Sequence, residues 1–200
     1  KEFGDRLFSR RTGLMGLWQE IADNFYVERA DFTSCRTVGE DFAAHLTTSY
    51  PLLCRRDLGN TFSSMLRPTN TEWFAIKTTR QDQEDNEAKR WLEWAGGLQR
   101  NAMYDRTSLF VSATKQGDHD YAAFGQCVLS LEINRSKNSL LYRNWHLRDV
   151  VWCDGYDGKV SEVHRRWKPT VRDLNKLFRG KISPEAKDKL GDDPYCEVEQ

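Results

Sequence analysis

The sequence predicts an α+β protein in which a mainly helical N-terminal part precedes a small antiparallel β meander and two closing helices. The first observation is a helical spacing of apolar residues in most of residues 1–126. The second is a change to two-residue alternation over residues 127–169, and the third is a capped helical pattern in residues 170–200. Helices and strands therefore occupy separate stretches of the chain, as expected for this fold class.

The first strong helix is predicted over residues 14–26, with Thr12 as its cap. Its apolar residues recur every three or four positions, and these are Leu14, Leu17, Trp18, Ile21, Ala22 and Phe25. Trp18 lies in the middle of this stripe, so we expect its side chain to be buried.

A second helix is predicted to open at Pro51 and to stop at Arg67, because the following Pro68 disfavours helix in the residue before it. Its apolar residues are Leu58, Phe62, Met65 and Leu66. The nine residues TEWFAIKTT that follow (71–79) predict a short strand.

A long third helix is predicted, with Asp82 as its cap and Gly96-Gly97 inside it. The glycine pair indicates a kink or a close helix contact. The apolar residues of this helix keep helical steps, and they are Ala88, Trp91, Ala95, Leu98, Ala102 and Leu109. A shorter helix is expected to be capped by Asp118 and ended by Gly125.

The strand region begins with an alternating stretch in which one face carries Cys127, Leu129, Leu131 and Ile133. Two further strands are predicted within 140–145 and 148–153. Asp157-Gly158 predicts a tight turn with Gly158 at positive φ. The returning strand should place Val163 and Trp167 on one face and His164 and Arg166 on the other.

The closing part predicts a helix capped by the pair Thr170 and Asp173 and ended by Gly180. A last helix is predicted to start at Ser183-Pro184.

The sequence contains little that indicates catalysis or cofactor binding. It has no Walker loop, no dinucleotide fingerprint and no G-x-S-x-G or H-E-x-x-H motif, and we predict no catalytic, cofactor-binding or metal-binding residue. The five cysteines are widely spaced and odd in number, which favours reduced thiols. His146, Cys153 and His164 lack the close pairing of a structural zinc site, and ordinary strand positions explain them better.

Charge is balanced overall but not locally. Lys+Arg and Asp+Glu both total 30, which excludes a general field for nucleic acid. Residues 159–181 nevertheless contain eight Lys/Arg residues against Glu162 and Asp173. Three readings stay open for this basic segment: a subunit contact, a phosphate contact with nucleic acid, and a solvated surface.

Five stretches, taken in order, resemble the head-to-tail connector (portal) family of short-tailed bacteriophages. They are RRTGLMGLWQEIADNFYVERADFT, PTNTEWFAI, WLEWAGGLQRNAMYDRTSLF, DYAAFGQCVLSLE and LYRNWHLRDVVWCDGYDGKVSEVHRRWKPTVRDLNKLF. Each motif is weak alone, but together they span most of the chain. Two positions depart from the family pattern: Val27 stands where proline is common, and Ser108-Leu109-Phe110 replaces a Ser-Asn-Phe run.

The resemblance implies the outer, wing-like part of a structural subunit, with the closing helices leading toward a channel stem. It implies a homo-oligomeric ring, commonly of twelve copies, assembled in the host cytoplasm and placed at one vertex of the virion capsid. Double-stranded DNA would pass through the ring during packaging and ejection. The implied partners are the capsid protein, a tail adaptor and the terminase motor, with no enzymatic role and no membrane.

A ring of this kind needs two complementary faces on each chain. We expect Arg165, Arg166, Lys168 and Arg172 to form one face, and Asp82, Glu84, Asp85 and Glu87 to form the other. Two rival readings predict different behaviour: a stand-alone nucleic-acid-binding module that uses residues 159–181, and an enzyme centred on Cys153 and His164.

Overall fold

A computed structural model describes residues 2–34, 39, 43–68, 71–79, 85–134, 138–178, 181–184 and 188. In this part of the chain the helices are α1 (Glu2–Arg10), α2 (Thr12–Phe25), α3 (Tyr50–Leu66), α4 (Asn86–Tyr104), α5 (Phe110–Phe124) and α6 (Val171–Leu177). The strands are β1 (Val128–Ile133), β2 (Leu140–Trp145), β3 (Val150–Asp154) and β4 (Val160–Arg165). The α+β class is confirmed.

The chain divides into two compact units. The larger unit is Arg10–Arg148, which holds α2 to α5 with β1 and β2; the smaller unit joins Lys1–Ser9 to Asp149–Gln200. The sequence predicted three consecutive segments, residues 1–126, 127–169 and 170–200. Their division into functional parts stays a prediction.

The core of the larger unit is an aromatic cluster on the inner side of α2. Trp18 is only 2% exposed, and its ring lies 5.5 Å from that of Phe32 and 6.3 Å from that of Phe124. The ring of Tyr26 stacks on that of Phe124, with 6.2 Å between the centroids. The burial predicted for Trp18 is therefore confirmed.

The remainder of the predicted α2 stripe is less buried than its periodicity indicates. Ala22 joins Trp18 in the core, whereas Leu14, Leu17 and Phe25 are 38–51% exposed. The capping role of Thr12 is wrong, because Arg11 is the N-cap residue and no side chain caps this helix.

Helices α3 and α5 pack closely, and this contact depends on Gly59. A Cβ at Gly59 would collide with the imidazole of His119 on α5. The predicted start and end of α3 are confirmed, with Pro51 in its first turn. Its buried residues are Arg55 and Gly59, while Leu58, Met65 and Leu66 are exposed.

The strand predicted at 71–79 is wrong. The described residues there are extended but pair with no strand. Side chains hold the segment instead: the Trp73 indole N–H donates to the Tyr104 hydroxyl at 3.0 Å, and Arg100 donates to the Thr71 carbonyl at 3.2 Å.

Helix α4 begins and ends at other residues than predicted. Asp85, not Asp82, accepts the hydrogen bond from the Ala88 amide, and Asp82 lies outside the described residues. The helix ends at Tyr104, so Leu109 is not part of it. Leu109 instead adopts a left-handed φ of 57° between a 3₁₀ turn (Arg106–Ser108) and α5.

Helix α5 starts at Phe110, which places Asp118 in its interior rather than at its cap. The predicted end is confirmed, because Gly125 is the C-cap residue with a φ of 70°. The Gly96-Gly97 pair lies inside α4, and a Cβ at either glycine would meet no atom within 4 Å. The close helix contact expected there is therefore absent from the described part of the chain.

The predicted strands are antiparallel, but in the described residues they form two separate two-stranded sheets rather than one continuous meander. In the first, Leu131 pairs with Tyr142 and Ile133 with Leu140. The apolar face of β1 is increasingly exposed along the strand, with Leu129 44%, Leu131 57% and Ile133 70% accessible. Only its start packs on α5, where Leu129 contacts Gly117.

The smaller unit is built on the second hairpin. Val151 pairs with His164 and Trp152 with Val163, and Gly158 has a φ of 72°, so the predicted turn and pairing are confirmed. Val163 is 59% exposed, while His164 lies against Phe3 and Gly4 of α1, a helix that the sequence reading missed.

Helix α6 follows this hairpin and is capped as predicted, because the Thr170 hydroxyl accepts from the Asp173 amide at 3.2 Å. Its buried residues are Val171 and Leu174. Gly180 and most of the helix expected after Pro184 lie outside the described residues.

Candidate subunit interface

The four predicted basic interface residues all lie in the smaller unit, in β4 and around the start of α6. Lys168 and Arg172 are exposed. Arg165 lies over the Trp167 ring at 4.4 Å. Arg166 donates to the Asp5 carboxylate at 2.7 Å and covers the Phe8 ring, so this cation already has a partner in its own chain.

The predicted acidic residues lie in or just before α4. Asp85 is committed to capping, since its carboxylate accepts the Ala88 amide at 2.7 Å. Glu87 is exposed in the first turn, where a negative charge favours the helix dipole. Asp82 and Glu84 lie outside the described residues. The structure thus describes two of these four acids: Asp85, which caps the helix, and Glu87, which does not.

Helix α4 also carries an apolar stripe that stays on the surface. Trp91 is 61% exposed, Trp94 60% and Leu98 50%, and the two indole rings lie 6.5 Å apart. The buried residues of this helix are Leu92 and Met103, on other faces. The periodicity of Trp91 and Leu98 was read correctly as one stripe, but this stripe is not part of the described core.

The interior of the larger unit contains ion pairs that the sequence reading missed, centred on three consecutive residues of α5. Asp120 is 1% exposed and accepts two hydrogen bonds from Arg29, at 3.1 and 2.8 Å, and one from Asn144 at 2.6 Å. Its neighbour Asp118 pairs with Arg67 at the end of α3. Both carboxylates are paired with an arginine, an arrangement typical of buried charges that hold elements together.

The middle residue, His119, contacts a buried arginine. The Arg55 guanidinium lies 3.1 Å from His119 Nδ1, 3.9 Å above the Tyr26 ring and 3.2 Å from the Phe25 carbonyl. Burial, followed by the charges of Arg55 and Lys115, lowers the pKa of His119 below its ordinary value. The neutral imidazole can accept from Arg55, whereas the protonated ring cannot.

His146 belongs to a third polar group, with Asp31 and Arg148. Its Nδ1 accepts the Arg148 amide at 3.0 Å, and its Nε2 lies 2.7 Å from the Asp31 carboxylate. Burial raises the pKa of Asp31, but the hydrogen bond from His146 and the charge of Arg148 outweigh it, and the net effect is a lowered pKa. These contacts give His146 a structural role in the larger unit.

The other residues considered for chemistry lie in the smaller unit. Cys153 faces Glu162 across the hairpin, and His164 Nε2 lies 3.1 Å from the Glu162 carboxylate. Among the described residues no group of three His, Cys, Asp or Glu side chains is arranged to hold a metal ion. What the described residues offer is charged and apolar surface, which suits association with other macromolecules.

None of the described helices is both long and apolar enough to cross a membrane. In a comparison with curated proteins, no sequence matches this chain. A comparison with protein families gives a match over residues 2–199 to the bacteriophage head to tail connecting protein family. That match covers almost the whole chain and agrees with the five sequence stretches and the α+β fold, and the chain therefore belongs to the bacteriophage head to tail connecting protein family.

Proposed function

We propose that this chain is the structural subunit of a closed ring of identical copies at the portal vertex, through which DNA is packaged and ejected and to which the tail attaches. Family membership supports a component of the virion that joins head and tail. The observation that carries the ring itself is the exposed apolar stripe of α4, formed by Trp91, Trp94 and Leu98.

The α4 stripe calls for a partner because of its size and its setting. A single tryptophan presents roughly 150–250 Å² of surface, and two lie side by side here, each about three-fifths exposed. Among the 19 residues of α4 only Leu92 and Met103 are buried. Since most helical stability in proteins comes from packing of an apolar face, a second copy that covered the stripe would stabilise α4.

Charged faces would add orientation to this contact. In the proposed ring, Arg165, Lys168 and Arg172 of one copy face Asp82, Glu84 and Glu87 of the next. Arg166 and Asp85 belong to the same two sets, and within their own chain Arg166 binds Asp5 and Asp85 caps α4. Exposed ion pairs contribute only about 0–1 kcal/mol each. In this proposal they align the two copies, and the apolar stripe supplies most of the free energy of association.

The proposal places the protein in a virion assembled in the host cytoplasm, next to the capsid protein, a tail adaptor and a terminase motor. We assign the chain no catalytic residue and no cofactor, and ATP hydrolysis belongs to the terminase in this arrangement.

The experiment replaces Trp91, Trp94 and Leu98 together with glutamine in the full-length protein, since glutamine keeps a high helix propensity. We expect circular dichroism like that of the parent but association weakened at least tenfold. The matched control is Arg90→Gln with Asn101→Gln, two exposed polar positions of the same helix, which should assemble as the parent does.

Two outcomes would contradict the proposal. Rings formed by the triple variant at parental concentration would exclude the stripe as the contact. A parent protein that stays monomeric and binds DNA with a steep salt dependence would favour the alternative, a stand-alone nucleic-acid-binding module that uses residues 159–181.

A further inference from the structure

The extended segment of residues 72–77, here called the docking segment, has an unused backbone. Within the described residues no hydrogen bond involves a backbone N–H or C=O group from Trp73 to Lys77. The segment is nevertheless fixed in place, because Trp73 stacks parallel to Phe110 with 6.3 Å between ring centroids and donates to Tyr104. It is therefore a strand-like edge, anchored by side chains and without a strand partner.

The sequence of the docking segment suits a strand. Larger apolar and other side chains alternate from Phe74 to Lys77, and the segment contains the β-favouring residues Trp73, Phe74 and Ile76. The structure leaves such a sequence without a ladder, and an unpaired edge of this kind is a template for pairing with another chain.

A groove with room for side chains runs beside this edge. It is a half-open cavity of about 560 Å³ between the docking segment and α4. Its lining is mixed: Phe74, Ile76 and Leu92 give it an apolar part beside Gly96 and Gly97, and five charged side chains line the remainder. The two glycines keep it open, because a Cβ at either would meet no atom within 4 Å.

An extended peptide fits these two features together. Its backbone would pair with the docking segment, and every second side chain would enter the groove, as in strand addition to a sheet edge. The partner strand must therefore have a free edge and apolar side chains at alternate positions.

Strand β1 of this same chain has both properties. It pairs with β2 in a two-stranded sheet, which leaves its other edge without a strand partner in the described part of the chain. Its alternate residues Leu131 and Ile133 are 57% and 70% exposed. Strand β4 fits less well, because its two apolar residues, Val160 and Val163, are three positions apart and therefore lie on opposite faces of the strand.

We propose that the docking segment accepts the free edge of β1 from a second copy of this chain, with the neighbour's Leu131 and Ile133 entering the groove beside α4. This inference rests on the proposed ring and deepens it. The donor strand and the acceptor segment are different surfaces of one chain, so each copy can accept from one neighbour and donate to the other, as a head-to-tail ring requires.

The first test is a crosslink between copies in the full-length protein with its native cysteines replaced by serine. One preparation carries Ala75→Cys and another carries Leu131→Cys, both at exposed positions. With a short bismaleimide, we expect a crosslinked dimer in the mixture and none in either preparation alone. Because each dimer needs one chain of each kind, it reports contact between two different surfaces.

A second variant tests the backbone pairing. Ala75→Pro removes an amide that no described residue uses and blocks pairing of the edge. One preparation carries Ala75→Pro together with Ile76→Cys, and the other carries Leu131→Cys. We expect the yield of the crosslink between these two cysteines to be at least tenfold lower than without the proline. The matched control Ala75→Ser keeps the amide and should retain the crosslink of the parent.

The outcomes separate this inference from the ring itself. Rings that form without the crosslink between positions 75 and 131, or an Ala75→Pro variant that crosslinks like Ala75→Ser, would overturn the strand pairing and leave the ring standing. A full-length protein that stays monomeric would overturn both.

Discussion

Single side chains in the larger unit connect elements that are far apart in sequence. Asp118, His119 and Asp120 are consecutive on α5, yet their partners lie on α3, on the turn after α2 and on β2. A buried charge left without its partner typically costs 3–5 kcal/mol. These residues therefore hold the packing of α5 in one arrangement.

Trp18 provides the clearest test of the core. Trp18→Ala should lower the free energy of unfolding by about 3–5 kcal/mol, because it empties a site that is 2% exposed between Phe32 and Phe124. The measurement is denaturant unfolding. Leu17→Ala is the control, since Leu17 is 51% exposed one residue away. Equal midpoints for the parent and Trp18→Ala would contradict this packing.

His119 should make stability depend on pH. Its folded pKa is lowered from 6.5 by burial and by Arg55, so the folded state binds this proton less readily than the unfolded state. The stabilisation is therefore fully present above 6.5 and is lost as the pH falls from there through the folded pKa. Thermal melting across this window should show a decline that His119→Gln reduces. An identical decline in the variant would exclude His119 as its cause.

Local chemistry could be predicted from the sequence, whereas distant pairing could not. The Thr170–Asp173 cap and the turn at Gly158 involve residues within a few positions of each other, and both are confirmed. The pairing of Arg29 with Asp120 joins residues 91 positions apart. Nothing in a single sequence identifies which arginine a buried aspartate will meet.

At the scale of elements, periodicity predicted the type of structure more reliably than the direction it faces. Helices α2 and α3 begin and end near the predicted residues. The α4 stripe and the apolar face of β1 also have the expected spacing, but both lie on the surface. An apolar face needs a cover, and the spacing alone does not say whether the cover comes from the same chain.

Two elements differ from prediction for identifiable reasons. Residues 71–79 have strand propensity but no partner strand in the described part of the chain, so they stay extended without a ladder. Helix α1 has few apolar residues, and the signals that could have revealed it are Glu2 and Asp5 in its first turn and Arg10 in its last.

The corner between α4 and α5 carries a strained residue. Leu109 has a φ of 57°, a conformation that costs a branched apolar residue about 1–2 kcal/mol and that asparagine tolerates better. Since Leu109 is 51% exposed, its replacement sacrifices little burial.

Leu109→Asn should therefore raise the free energy of unfolding by about 1 kcal/mol. The measurement is a denaturant midpoint, with Val111→Asn as the control because Val111 is 57% exposed but helical. A stability gain that is equal in the control, or a loss in Leu109→Asn, would contradict strain at this corner.

At the scale of the whole molecule, a neutral total charge conceals separate basic and acidic sets. The total is 30 positive against 30 negative side chains. The basic set lies in the smaller unit, and the described acidic residues Asp85 and Glu87 lie in the larger one. Separate sets of opposite sign suit contact between the different faces of neighbouring copies.

Charge reversal tests this contact in the full-length protein. We expect Arg165→Glu, Lys168→Glu and Arg172→Glu together to weaken assembly, and Asp82→Lys, Glu84→Lys and Glu87→Lys together to weaken it as well. Combining both sets should restore assembly, because the opposite charges then face each other again. Assembly is followed by light scattering at several salt concentrations, since salt screens exposed pairs.

Arg166 and Asp85 are left unchanged in this design because Arg166 binds Asp5 of α1 and Asp85 caps α4, so reversing them would also disturb these two helices. Arg166→Glu alone should lower the stability of the chain, because it breaks the hydrogen bond to Asp5. If the variant with the three basic residues reversed formed normal rings but failed to package DNA, these residues would contact DNA instead of a neighbouring subunit.

The central claim is that the chain builds a closed ring, and electron microscopy of the purified full-length protein tests it most directly. The account predicts closed rings of identical subunits with a central opening, formed without DNA. Single copies or open chains under the same conditions would contradict it.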